Sequence, residues 1–316
     1  MKRKLHILLL LCALFGGAMV AQAQKIIFTP QWTPQAQFAG YYVAHDMGFY
    51  KDAGLDVDIV HPSATQPAME RVRRNESQIT TLLLCQALEV LDNGIHLVNI
   101  LQTSMNSALV IAYRGDDEPM KKKGIRVGTW SAGFDQLAIS MSIKENLNYN
   151  WIRFAGGTNL FLSGAIDAML AMSYNELNQL RQAGFQPTEN NVYRFCDHGY
   201  NVQEDGVYVT REFYQDHKEQ AKAFAAASRR GWEWAAEHPD ETLDIVMKYV
   251  KEGHVETNRV LQRLMLEDIL RLQVDRETGE RSFTLRKDMV EMMSRLMLEN
   301  QVLLTEITYE DLMPND

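Results

Sequence analysis

The most constraining feature of this sequence is the alternation of short apolar segments, typical of strands, with longer segments of helical periodicity. Strands separated by helix-length stretches favour parallel pairing through crossover helices, which predicts an α/β fold. The predicted strands are 25–28, 55–59, 79–84, 97–101, 108–113, 125–129, 151–154, 165–170, 192–195 and 206–210. The predicted helices are 38–53, 67–75, 85–93, 133–146 and 175–183, followed by helical segments from about Gln215.

A polar, charged stretch at 115–124 divides these segments into two blocks. We interpret it as a crossover between two α/β lobes. The strand at 206–210 is interpreted as the return strand, and the C-terminal helices are expected to pack against the first lobe. The predicted organisation is therefore a first lobe of 24–114 and 212–316 and a second lobe of 115–211.

The N-terminus has the pattern of a cleavable secretory signal. A basic start, Met1–Lys4, precedes the apolar run Ile7–Phe15, and Ala21-Gln22-Ala23 is an A-x-A cleavage site. The run is shorter than the roughly 20 residues that span a bilayer. Cys12 lies inside it rather than at a lipid-modification site. We predict cleavage after Ala23 and a periplasmic mature protein.

The charge balance argues against nucleic-acid binding. The chain has 32 Lys and Arg against 41 Asp and Glu, a formal net charge of −9. Nucleic-acid affinity rests largely on contacts between basic side chains and phosphates, and this chain lacks a basic run. With 46% hydrophobic and 23% charged residues, the chain is neither disordered nor a polytopic membrane protein.

A binding loop is predicted where the first strand ends, in the segment Gln31–Tyr42. Ligands of open α/β sheets collect at the carboxyl ends of strands. Core positions would be aliphatic, whereas Gln31 and Gln35 offer amide groups, and Trp32 and Tyr41 offer faces for stacking.

Three further segments offer candidate ligand contacts. After the strand at 165–170, Tyr174 can stack while Asn175 and Glu176 hydrogen-bond to ring or amine nitrogens. The alternative is a capping box, with Ser173 as N-cap of the next helix and Glu176 at its third position. Weaker candidates, equally compatible with an ordinary helix cap or turn, are Trp130, Ser131, Phe134 and Ser104.

Sequence motifs for a metal, a cofactor or a catalytic nucleophile are missing. The histidines show no H-E-x-x-H or Cys/His spacing. The chain has no P-loop and no G-x-S-x-G, and Gly156-Gly157 is not a dinucleotide fingerprint. Cys85 and Cys196 end apolar segments, which favours two buried thiols. We therefore predict no catalytic residue, no metal ligand and no cofactor.

The sequence resembles the thiamine-pyrimidine-precursor branch of the solute-binding proteins of ABC transporters. The resemblance rests on QWTPQAQFAGYYVA from Gln31, GFYKDAGLDV from Gly48, MSYNE from Met172, EDGV from Glu204 and GWEWA from Gly231. It implies a type II periplasmic-binding-protein fold, with two lobes, a two-stranded hinge and a cleft that closes on a small molecule. It also implies a monomer that delivers its ligand to an ABC permease with its ATPase, and it adds Asp205 to the candidate ligand contacts.

Three alternatives stay open within this resemblance. Relatives carry flavins or sulfonates instead of aminopyrimidines. The related fungal pyrimidine synthase is an iron enzyme that uses its own histidine and pyridoxal phosphate. Its cysteine-rich motif would fall near 200–204, where this chain has no cysteine, and Gln86 and Leu82 stand at the approximate positions of its donor histidine and cofactor lysine. A ligand-sensing protein without a permease is the third possibility.

Overall fold

The computed structural model describes residues 25–63, 65–115, 121–130 and 135–314. The predicted signal segment 1–23 lies outside these residues, and so do two candidate ligand contacts, Ser131 and Phe134.

The described residues form ten strands. They are β1 (Lys25–Thr29), β2 (Asp56–Ile59), β3 (Ile79–Leu83), β4 (Leu97–Gln102), β5 (Leu109–Tyr113), β6 (Arg126–Trp130), β7 (Asn150–Phe154), β8 (Ala168–Met172), β9 (Val192–Arg194) and β10 (Asp205–Thr210). Each predicted strand is present, and most bounds agree to within one or two residues.

The described α-helices alternate with these strands and then dominate the C-terminal third. They are α1 (Ala39–Asp46), α2 (Phe49–Asp52), α3 (Ala68–Arg73), α4 (Leu84–Asp92), α5 (Gln136–Lys144), α6 (Asn159–Ser163), α7 (Glu176–Gln182), α8 (Arg211–Asp216), α9 (Lys218–Glu237), α10 (Pro239–Glu252), α11 (Arg259–Leu272), α12 (Lys287–Glu299) and α13 (Tyr309–Leu312). The single helix predicted over 38–53 is interrupted at Gly48, whose φ of 76° lies outside the range of a right-handed helix.

The strands form two five-stranded sheets of equivalent design. The first has the order β2-β1-β3-β10-β4 and the second the order β7-β6-β8-β5-β9. In each sheet three neighbouring strands run parallel, and the fourth strand in the order is antiparallel to both of its neighbours. Parallel neighbours require crossover connections, which the helices supply. The structure confirms the α/β class.

The predicted assignment of two strands to the sheets is wrong. β5, expected to complete the first block, lies in the second sheet between β8 and β9. β10, expected in the second lobe, lies in the first sheet between β3 and β4. The charged stretch at 115–124 connects two strands of one sheet, so a lobe boundary there does not follow the sheets. Both strands are buried, and their composition carries no information about which sheet they join.

The chain instead passes between the sheets at 103–108 and at 195–204, and these two segments are hydrogen-bonded to each other. Ser104 Oγ accepts hydrogen bonds from the backbone N–H groups of Glu204 (2.7 Å) and Asp205 (2.9 Å). The Glu204 carboxyl accepts from Ser107 Oγ (2.7 Å) and from the N–H of Ala108 (2.9 Å). Ser104, predicted to contact the ligand, therefore joins the two crossing segments.

The C-terminal helices contact both halves of the molecule, not the first alone as predicted. α9 and α10 pack on α1, whereas α11 contacts α7 and α12 contacts α5. Two glycines bring α9 and α1 close together. A Cβ on Gly231 would lie 2.0 Å from the carbonyl oxygen of Gly40, and a Cβ on Gly40 would lie 2.2 Å from the Trp232 ring. This contact anchors the helix that follows the predicted binding loop.

Candidate functional site

A cavity of about 390 Å³ lies between the two sheets, at the carboxyl ends of the parallel strands. Segments that follow or end β1, β3, β6, β7 and β8 meet there. This is the edge at which ligands of parallel sheets bind. The described residues that line it are Gln31, Trp32, Gln35, Gln37, Leu83, Gln86, Trp130, Ala155, Gly156, Gly157, Met172, Tyr174, Asn175, Glu176 and Gln179.

A buried carboxyl group orients the glutamines on the first-sheet side of the cavity. Asp205 Oδ1 accepts hydrogen bonds from Gln31 Nε2 (2.5 Å) and Gln37 Nε2 (3.0 Å), and Gln37 Oε1 accepts from Gln35 Nε2 (2.6 Å). Burial raises the pKa of Asp205 to about 6, and the two amide donors partly offset the effect. Because both Gln31 and Gln37 direct their nitrogens at Asp205, their amide oxygens point elsewhere.

This orientation leaves a buried acceptor on the cavity wall. No donor from the described residues reaches Gln31 Oε1, although the atom is buried. A buried acceptor without a partner costs about 1–3 kcal/mol. A ligand N–H group would recover that cost once the Gln31 side chain turns this oxygen into the cavity, so the first-sheet side favours a ligand that carries an amine or amide.

Trp32 is held at the cavity by its backbone. Trp32 is 51% exposed and lines the cavity. Its carbonyl oxygen accepts a hydrogen bond from His61 Nδ1 (2.6 Å), and His61 Nε2 accepts one from the Tyr42 hydroxyl (2.8 Å). Burial lowers the pKa of His61 to about 4, so the imidazole is neutral at neutral pH. The loop is thus fixed while the indole face stays open to a planar ligand.

On the second-sheet side, Glu176 begins α7, and the residue is 4% exposed. It accepts hydrogen bonds from the N–H of Met172 (3.0 Å) and from Asn175 Nδ2 (2.8 Å). Burial raises its pKa to about 8, and these hydrogen bonds partly offset the effect. Glu176 is therefore protonated at neutral pH, with one O–H donor and remaining acceptor capacity.

The helix boundary also removes the alternative explanation for Glu176. The N-cap of α7 is Asn175, which makes no side-chain capping bond, and Ser173 lies two residues further out. The capping box proposed from the sequence is therefore not formed. Tyr174 is buried against the cavity, and its carbonyl oxygen accepts from Asn178 Nδ2 (3.1 Å).

Seven of the predicted ligand contacts meet at this cavity: Gln31, Trp32, Gln35, Trp130, Tyr174, Asn175 and Glu176. Tyr41 does not, because it is 1% exposed and packs between Phe28 (ring centroids 4.9 Å apart) and Trp232 (5.6 Å) in the helix-packing core. Asp205 lies behind the cavity wall and orients its glutamines. Of the predicted set, Ser104 also lies away from the cavity.

Several lining residues were not predicted. Gln37 lies in the predicted loop but is not among the predicted ligand contacts. Gln86 Oε1 accepts a hydrogen bond from the backbone N–H of Leu83 (3.1 Å) at the end of β3. Gly156 and Gly157 have φ values of 124° and 85°, and nothing lies within 4 Å of a Cβ built on either. Two consecutive glycines one residue after the end of β7 are the sequence signal that locates this part of the wall.

The described lining contains no Lys, Arg or His. Three buried carboxyl groups lie at or near it, and burial raises the pKa of each: Glu176 to about 8, Glu204 to about 7 and Asp205 to about 6. An anionic ligand would thus meet no compensating cation from these residues.

Among the described residues, no three His, Cys, Asp or Glu side chains converge as metal ligands. Within the same residues no helix is long and apolar enough to cross a membrane.

Residues 35–242 match the protein family described as NMT1/THI5 like. The chain belongs to the NMT1/THI5-like family. The match spans all strands of the two sheets except β1, and it extends through α9. It includes all of the described cavity lining except Gln31 and Trp32.

Relatives of this NMT1/THI5-like chain include two binding proteins. The formylaminopyrimidine-binding protein of Halalkalibacterium halodurans is 24% identical over 236 residues, covering 71% of this chain and 70% of that protein. The riboflavin-binding protein RibY of Chloroflexus aurantiacus is 24% identical over 265 residues, covering 78% of this chain and 72% of that protein.

The periplasmic aliphatic sulphonate-binding protein SsuA of Escherichia coli has a similar structure, with a TM-score of 0.66 at 10% identity and coverage of 92% of each chain. At this identity the likeness concerns the fold. It confirms the periplasmic-binding-protein fold implied by the sequence resemblance.

Proposed function

We propose that this chain is the extracytoplasmic solute-binding protein of an ABC transporter and captures a thiamine-precursor pyrimidine of the formylaminopyrimidine or hydroxymethylpyrimidine type. The observation that carries the proposal is the cavity lining, which combines aromatic faces with amide and carboxyl groups and has no described cation. The relative named for formylaminopyrimidine binding supports the choice of ligand.

Each part of an aminopyrimidine has a counterpart in the cavity. Trp32 and Tyr174 supply faces for the planar ring. The exocyclic amine can donate to Gln31 Oε1, which lacks a described donor. The protonated Glu176 can donate its O–H to a ring nitrogen and accept from the adjacent amine, a two-point match that a sulfonate, with acceptors alone, cannot complete.

The cavity volume and the expected binding free energy are both consistent with a pyrimidine ligand. A volume of about 390 Å³ lies at the lower end of the range for small-molecule sites, which suits a single ring. About twelve heavy atoms at −0.3 to −1.5 kcal/mol each bracket the −8 kcal/mol of micromolar binding.

The two segments that cross between the sheets act as the hinge, and the two halves of the molecule close over the ligand.

The protein is exported through a signal peptide that is cut after Ala23. It works as a monomer and delivers its ligand to a permease and its ATPase. Intact-mass measurement of exported protein should give a chain that starts at Gln24. An uncut leader or a lipid adduct on Cys12 would contradict this.

Riboflavin is the second candidate ligand, because a relative of equal sequence identity is named for binding it and the cavity has aromatic faces for stacking.

We do not propose a catalytic activity for this chain. Leu82, at the approximate position of the synthase's cofactor lysine, is a buried residue of β3, and its partner Gly206 lies in β10. Incubation with iron and pyridoxal phosphate should yield no pyrimidine product, and a product would overturn this part.

A thermal-unfolding panel tests the ligand class. Formylaminopyrimidine, hydroxymethylpyrimidine, riboflavin and an alkanesulfonate are each added to the purified mature protein. A ligand at 100 times its dissociation constant should stabilise the fold by about 2.7 kcal/mol. Stabilisation by a pyrimidine supports the proposed ligand class. If riboflavin or the sulfonate alone stabilises the protein, that compound replaces the pyrimidine as the proposed ligand.

A further inference from the structure

A second cavity, of about 470 Å³, lies on the other face of α7 from the ligand cavity. Leu177 and Arg181 of α7 line it, together with Arg194 at the end of β9 and the end of α11 with the loop that follows. Asn106 of a crossing segment completes the wall. Elements packed on different sheets therefore face each other across this space.

The carboxylates that line this second cavity already have partners. Asp197 pairs with Arg276 (2.7 Å), and Asp268 pairs with Arg271 (2.8 Å). Asp275 accepts hydrogen bonds from two backbone N–H groups of its own loop (2.8 and 3.0 Å) and pairs with an arginine outside the lining (3.4 Å).

Two of the four arginines in the lining have no direct carboxylate partner among the described residues. Arg181 donates to Asn178 Oδ1 (3.2 Å), whose Nδ2 donates to Asp268 (2.8 Å). The guanidinium of Arg194 makes no hydrogen bond or ion pair with the described residues. The lining contains four arginines and three aspartates, so positive charge is in excess at this cavity although the chain has a net charge of −9. A guanidinium presents its donors as a planar fork that matches an oxyanion.

We propose that this cavity binds a small oxyanion with two negative charges, of the phosphate or dicarboxylate class, through Arg181 and Arg194. The site is separate from the ligand cavity, whose described lining contains no cation. The inference does not rest on the function proposed above, because it follows from the charges of the second cavity alone.

Titration calorimetry with sodium phosphate, and separately with sodium succinate, tests this site at an ionic strength held constant with sodium chloride. One anion should bind per chain. Its affinity should fall at least tenfold in Arg194→Gln and in Arg181→Gln. Arg73→Gln, which removes an exposed arginine of α3 far from the cavity, should bind like the native protein.

Three results would overturn the proposal. They are the absence of binding by either anion beyond that seen with chloride, unchanged affinity in both arginine variants, and loss of binding in Trp32→Ala, which would move the anion to the ligand cavity. Arg181 is exposed, so its variant keeps the test valid if Arg194→Gln fails to fold. Pyrimidine titrations on the same variants should be unchanged, which separates failure of this site from failure of the proposed function.

Discussion

Replacing Glu176 by Gln should make the ligand-free protein less sensitive to alkaline pH. Burial raises the native pKa of this carboxyl group to about 8, from an ordinary value of 4.5. In the unfolded chain the group ionises near 4.5, whereas in the native cavity it keeps its proton up to about pH 8. The unfolded state therefore binds fewer protons over this interval, and the native protein loses stability as the pH rises.

The size of the effect follows from the same two values. One pKa unit corresponds to about 1.4 kcal/mol. Between pH 5 and pH 9 the native protein should lose up to about 4 kcal/mol through this group, and Glu176→Gln should lose none of it. The amide can still accept from the N–H of Met172, but it places a donor against the Asn175 amide. That conflict costs about 1 kcal/mol at every pH.

Urea unfolding of both proteins at pH 5, 7 and 9 measures this difference. The variant should gain about 3–5 kcal/mol relative to the native protein across the range. Glu267→Gln, which changes an exposed glutamate of α11, serves as the control and should follow the native curve. A constant difference between Glu176→Gln and the native protein would mean that Glu176 is ionised in the native cavity, and the proposed O–H donor would be refuted.

Three further predictions concern the loop, its support and the helix contact. Trp32→Ala removes one stacking face, worth about 1–3 kcal/mol in ring-on-ring contacts, and should weaken pyrimidine binding about 5- to 150-fold in calorimetry; unchanged affinity would exclude stacking on this indole. Asp205→Asn leaves one oxygen and adds a competing donor among the glutamine amides, so pyrimidine affinity should fall about tenfold with the cost of one hydrogen bond. Affinity equal to the native value would mean that Asp205 does not orient the wall. Gly231→Ala places a methyl group 2.0 Å from the Gly40 carbonyl oxygen and should destabilise the fold by about 1–3 kcal/mol or more in urea unfolding; native stability would show that α9 can shift.

Local hydrophobic patterns predicted the strands well, because the alternation or run of apolar residues in a strand follows from which of its side chains are buried. They could not predict that β5 joins the second sheet and β10 the first. Sheet membership depends on pairing between segments far apart in sequence, such as Leu109 opposite Met172. The charged stretch at 115–124 therefore misled the placement of the lobe boundary.

In the candidate site, too, local sequence predicted some residues, whereas others depend on packing between distant segments. Gln31 and Trp32 were predicted because polar and aromatic residues at a strand end are rarely needed for the core. Tyr41 was wrongly included, since its burial depends on how closely α9 approaches α1, which the Gly40 and Gly231 contact sets. The raised pKa of Glu176 depends on the burial of its carboxyl group, which residue type and spacing alone do not determine.

The most direct test of the account is a calorimetric titration of purified protein, residues 24–316, with formylaminopyrimidine at pH 7. The account predicts one site per chain with micromolar or tighter affinity, weakened by Trp32→Ala and lost progressively as the pH rises above about 8, where Glu176 gives up its proton. Absence of binding by formylaminopyrimidine and by hydroxymethylpyrimidine, in protein that unfolds cooperatively, would contradict it.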